Sequence, residues 1–88
     1  MTNARPVPVR LRVGRRDAPY VLTKPLHASQ QVVERFPDRS VEIELRVQHN
    51  YELERLLLGF GDGLEVLAPK RLRKRMRNIF KSGAALYG

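Results

Sequence analysis

Cysteine and tryptophan are absent from the 88-residue chain, and histidine occurs only as His27 and His49. Without thiols there is no disulfide framework and no thiolate metal site, and two imidazoles do not close a structural zinc centre. No metal and no other cofactor is expected. No apolar run approaches the roughly 18 residues that a membrane helix needs, and the start "MTNARPVPVR" lacks the apolar centre of a signal peptide. These absences predict a cytoplasmic domain without membrane association. The length allows one domain, and a domain this small buries only about 60 to 65% of its unfolded surface, so a deep enclosed active site is not expected.

What the chain has in excess is positive charge. Seventeen Lys and Arg against nine Asp and Glu give a formal charge of +8 and a pI near 10.9, which favours a polyanionic partner without identifying one. Five arginines and no acid lie between Met1 and Arg16, and seven basic residues and no acid between Pro69 and Lys81. Between Asp38 and Glu65, seven acids stand against three arginines. Basic ends and an acidic middle suit a neighbour of opposite polarity as well as a nucleic acid.

Periodicity gives the elements. "VPVRLRV" alternates Val7, Val9, Leu11 and Val13 with Pro8, Arg10 and Arg12, the pattern of a half-buried strand with its arginines outward. A short helix around Ala18 to Leu22 follows, with Asp17 as its expected N-cap and Pro25 barring its continuation. "QQVVERF" and "VEIELRV" flank the turn sequence "PDRS" and predict a hairpin, with Val41, Ile43, Leu45 and Val47 inward and Glu42, Glu44 and Arg46 outward. Asn50 is placed to cap a helix whose core stripe is Leu53, Leu56, Leu57 and Phe60.

The three glycines Gly59, Gly61 and Gly63 raise the question of a phosphate loop. Such loops follow a strand and open a helix; this stretch ends a helix and leads into the strand "LEVL", and its spacing matches neither the dinucleotide nor the Walker motif. It reads as a turn, with Gly59 or Gly61 in the left-handed conformation that terminates a helix. Pro69 then suits a first helical position, and Leu72, Met76, Ile79 and Phe80 recur on one face of a basic amphipathic helix. Met76 and Phe80 read as core, and Ser82 and Gly83 are expected to loosen or end the helix.

The order β-α-β-β-α-β-α predicts an α+β fold: a ferredoxin-like βαββαβ antiparallel sheet with an added C-terminal helix, the first and third strands central and helices on one face. The other face would set Arg10 and Arg12 beside Glu42, Glu44 and Arg46, a self-neutralised surface. RNA recognition motifs share this fold but stack bases on aromatics of the central strands, and these strands have none facing outward.

Catalysis has little to stand on. Asp17, His27 and Ser29 supply the residue types of a hydrolytic triad, but neighbours on an extended segment do not aim a base at a nucleophile, and no nucleophile elbow is present. No catalytic residue is assigned, and the chain is not expected to be an enzyme. His27 is expected to bond a backbone carbonyl or pack beside Pro25, and His49 to be solvated at the helix start.

Taken in order, "KPLHASQQV", "VEIELRV", "YELERLLLGFGDGLEVLAPKRLRKRM" and a terminal "LY" resemble the C-terminal WCX segment of bacterial WYL-domain transcriptional regulators. The matching residues are Pro25, Leu26, His27, Ser29 and Gln30; Glu52, Leu53, Leu57 and Gly61; and Glu65, Val66, Leu67, Pro69, Leu72 and Arg73. The resemblance covers residues 7–87, read as one domain after a disordered or linker stretch over residues 1–6. It implies a regulator in which this segment follows a helix-turn-helix and a WYL barrel, helps form a homodimer and adjusts the response to an effector, often thought to be nucleic acid. The chain itself has no Trp-Tyr-Leu motif and no room for a helix-turn-helix. The polar "MTNAR" start suits a domain cut from a longer protein.

The expected contact residues are Arg10 and Arg12 on the first strand and Arg71, Arg73, Lys74, Arg75 and Arg77 on the last helix. Their partner is either protein, as a second subunit or the neighbouring WYL and helix-turn-helix domains, or a single-stranded or operator nucleic acid gripped directly.

Overall fold

A computed structural model describes residues 5–88, so residues 1–4 of the expected linker lie outside the described residues. The elements are β1 (Val7–Val13), α1 (Ala18–Thr23), β2 (Gln31–Arg35), β3 (Val41–Val47), α2 (Tyr51–Leu58), β4 (Leu64–Ala68) and α3 (Lys70–Ala85). The four strands form one antiparallel sheet in the order β2-β3-β1-β4, which is the expected α+β ferredoxin-like arrangement with an added C-terminal helix.

Period-2 alternation drives the centre of the sheet. Val9, Leu11 and Val13 of β1 face Leu45, Ile43 and Val41 of β3 in register, and all six are buried with Val21, Leu53, Leu57, Leu72 and Met76. Each fully buried aliphatic side chain contributes about 1.5 to 3 kcal/mol, so this row dominates the stability of the domain.

The turns carry specific chemistry. In "PDRS" the Asp38 carboxylate accepts from the Ser40 amide at 2.9 Å and from its hydroxyl at 2.6 Å, bonds that hold Asp38 below the usual carboxylate range. Arg39 takes the left-handed conformation at φ 70° between them. Asn50 caps α2 as expected, its Oδ1 accepting the Leu53 amide at 2.9 Å. Of the two glycines that could end α2, Gly61 is the left-handed one (φ 57°), and Gly59 stays helical.

The motif "PLHASQ" is a fastening. Gln30 accepts the Leu26 amide and donates to the Val21 carbonyl, both at 2.9 Å, tying the loop to the end of α1. Ser29 Oγ accepts the Arg46 amide at 2.8 Å and lies 3.2 Å from the Arg46 carbonyl, extending the β2–β3 pairing by a side chain.

Several expectations are corrected. Asp17 makes no capping hydrogen bond; its carboxylate lies by Arg16 and against Gly63, where an added Cβ would strike it. The stripe of α2 is narrower than its spacing suggests, because Leu56 is 42% exposed and lines an open groove of about 530 Å³ with Leu26, His27 and Leu53. Pro69 is the residue before α3 rather than its first, and α3 continues through Ser82 and Gly83. Phe80 is not core: it is 42% exposed. The reason is length, since sixteen helical residues span about 24 Å while the five of β4 span about 17 Å. The C-terminal half of α3 outruns the strand it packs on.

Candidate functional site

The seven expected contact residues fall on two surfaces. Arg10 and Arg12 stand on the open face of the sheet, where both are committed within the chain. Arg10 bonds Glu44 directly across the ladder at 3.0 Å and Glu42 at 2.9 Å. Arg12 donates to Ser40 Oγ at 3.1 and 3.3 Å, lies 3.6 Å from Asp38 and stacks over the Phe36 ring at 3.9 Å. An aromatic therefore reaches this face from the hairpin turn rather than from a central strand, and a cation already covers it.

The other five lie on α3. Arg73 donates 2.7 Å bonds to Glu65 Oε2 and to the Val66 carbonyl, so it caps the exposed edge of β4. Arg75 bonds the Glu54 carboxylate at 3.2 Å. Arg71, Lys74 and Arg77 have no ion-pair partner among the described residues. Helical spacing sets Lys70, Lys74, Arg77 and Lys81 in one exposed stripe opposite Leu72 and Met76.

This helix is electrostatically strained. It holds no acid, three cations sit in its first turn where the helix dipole repels them, and Lys70–Lys74, Arg71–Arg75, Arg73–Arg77 and Arg77–Lys81 are like-charged i,i+4 pairs. Each such pair costs about 0.2 to 0.5 kcal/mol. An anion brought to the stripe would offset that repulsion.

Beside the stripe runs an apolar groove of about 430 Å³ between β4 and α3. Leu64, Val66 and Met76 are its floor, Phe80 its wall, and Asp62, Glu65, Arg73 and Arg77 its rim. Past the helix end, Leu86 and Tyr87 are 83% and 93% exposed. The groove was missed in the sequence because Phe80 has the spacing of a core residue; the signal available was the length of α3 against that of β4.

His27 and Ser29 do meet, Nδ1 to Oγ at 2.8 Å, yet the Ser29 amide also donates to the same Nδ1 at 3.1 Å and Oγ is bound to the Arg46 backbone. The pair closes a loop. His27 Nδ1 thus accepts a backbone N–H, where a bond to a backbone carbonyl or packing beside Pro25 is the sequence expectation. His49 is not solvated either: its Nε2 lies 2.8 Å from Glu54 Oε2 and its side chain is only 22% exposed.

Among the described residues no cluster of His, Cys, Asp and Glu could hold a metal ion, and no helix is long and apolar enough to cross a membrane. A small ferredoxin-like module with a cationic helix and an uncovered apolar groove is the class that the fold and surfaces define. The chain matches the WCX domain over residues 5–84 and belongs to that family, the C-terminal segment of WYL-domain regulators, a regulator module not known as catalytic. Membership implies WYL and helix-turn-helix domains as its neighbours. No curated protein matches the chain.

Proposed function

We propose that this domain is a non-catalytic assembly and effector-response module of a WYL-type transcriptional regulator, helping the regulator to dimerise and coupling a charged partner to it through α3. The carrying observation is the pairing of an acid-free cationic helix with an apolar groove on the same element. Arg71, Lys74 and Arg77 are the primary contact residues, because none of them has an ion-pair partner among the described residues. Arg10, Arg12, Arg73 and Arg75 are secondary, since each exchanges an existing carboxylate or hydroxyl partner on contact.

A second reading, direct nucleic-acid binding, is favoured by the like-charge repulsion along α3. Sedimentation of the 88-residue chain, alone and with a short single-stranded DNA at about 50 and 200 mM salt, separates the two. A dimer indifferent to DNA supports assembly. A monomer whose DNA affinity falls with salt at a log–log slope near −2, about 0.7 for each of Arg71, Lys74 and Arg77, supports the direct grip and overturns the assembly reading.

A further inference from the structure

We propose that the groove between β4 and the C-terminal half of α3 is a two-fold self-association face occupied by a second copy of this chain, with Phe80 of each copy seated in the groove of the other. The inference rests on the assembly reading above and gives it a surface.

Charge selects the occupant. Two molecules each carrying +8 repel one another, and the remaining faces of α3, with Lys70, Arg71, Lys74 and Lys81, repel most. The groove is the place on this helix where the balance is zero: Asp62 and Glu65 on the strand side answer Arg73 and Arg77 on the helix side. A two-fold interface requires a patch complementary to itself, in which residue i of one copy meets residue j of the other and the reverse. An apolar floor with one acidic and one basic rim meets that requirement. Glu65 and Arg73 are already joined at 2.7 Å. Asp62 has only a loose contact with Arg16 at 3.4 Å and its side chain is 96% exposed, and Arg77 has no ion-pair partner among the described residues. Asp62 of each copy is therefore available to Arg77 of the other.

Shape agrees with charge. Phe80 is the one large apolar side chain on the groove wall, and it is exposed because α3 outruns β4. Buried aromatic anchors dominate such interfaces. Backbone addition at this edge is blocked at its centre, because the Val66 carbonyl is already taken by Arg73. Association has to proceed through side chains, which makes Phe80 and the Asp62–Arg77 pair decisive.

Sedimentation equilibrium of the chain and of F80E, D62R, R77D and the double variant D62R/R77D is the test, over about 1 to 100 μM, the range in which modest interfaces dissociate. All three positions are at the surface, so the variants keep the fold. F80E is expected to weaken the dimer at least about tenfold. D62R and R77D are each expected to weaken it about 2- to 30-fold, two exposed pairs being lost per dimer. The double variant is expected to recover most of the affinity, because the exchanged pair re-forms. A dimer that F80E leaves intact, or a double variant no tighter than either single one, overturns the groove and spares the assembly reading. A chain that stays monomeric throughout overturns both.

Discussion

His49 Nε2 and Glu54 Oε2 stand 2.8 Å apart, and Arg75 Nε reaches the same carboxylate at 3.2 Å, so one half-hidden acid joins the β3–α2 loop, α2 and α3. Burial acts to raise the Glu54 carboxyl. Hydrogen bonds from His49 and Arg75, with their charges, outweigh it and leave the group below its ordinary range. A carboxyl lowered on folding adds stability above its unfolded pKa, near 4.3, and that contribution is lost as pH falls through the folded value. Glu54→Gln is therefore expected to lower stability by about 1 kcal/mol at neutral pH. The gap from wild type should narrow in acid, once the pH falls below that unfolded value. Urea unfolding at both pH values reads this; a gap unchanged in acid contradicts it.

Gln30 is the second point of leverage. Its amide group makes two 2.9 Å bonds, to the Leu26 amide and the Val21 carbonyl, in a part-buried setting. Gln30→Ala leaves both backbone groups short of a partner and is expected to cost about 1 to 3 kcal/mol. Chemical denaturation measures it. An effect below about 0.5 kcal/mol, the usual range for surface changes, would mean that the "PLHASQ" motif is not a fastening.

Leu72 and Phe80 lie on the same side of α3 and differ in burial, at 0% and 42% exposed. Leu72→Ala is expected to cost about 2 to 5 kcal/mol, the range for a filled core position. Phe80→Ala should cost about 1 kcal/mol or less in the monomer, at a concentration too low for association. Thermal melts at low protein concentration compare them, and equal losses would return Phe80 to the core.

β1 and β3 were legible because each has one buried face: Val9, Leu11 and Val13, and Val41, Ile43 and Leu45, cannot be assigned any other way once period 2 is recognised. Asn50 was legible as a cap because its side chain acts on its own helix. Asp17 failed as a cap, although its type and position are equally good, because its carboxylate instead lies by Arg16 and against Gly63, forty-six residues on from it. His49 was unreadable for the same reason: part of its environment, Arg75, comes from a distant helix through Glu54. Phe80 shows the limit of periodicity, which gives the face of a helix but not where the neighbouring strand ends. The cationic helix itself was plain from the sequence; which of its cations are paired was not, since Glu54 and Glu65 lie on other elements.

The most direct measurement is amide hydrogen exchange of the 88-residue chain at low and high protein concentration. Raising the concentration is expected to increase protection in β4 (Leu64–Ala68) and in the C-terminal half of α3, leaving β2 unchanged. Protection that does not depend on concentration, or that rises on the exposed β2 edge instead, would contradict it.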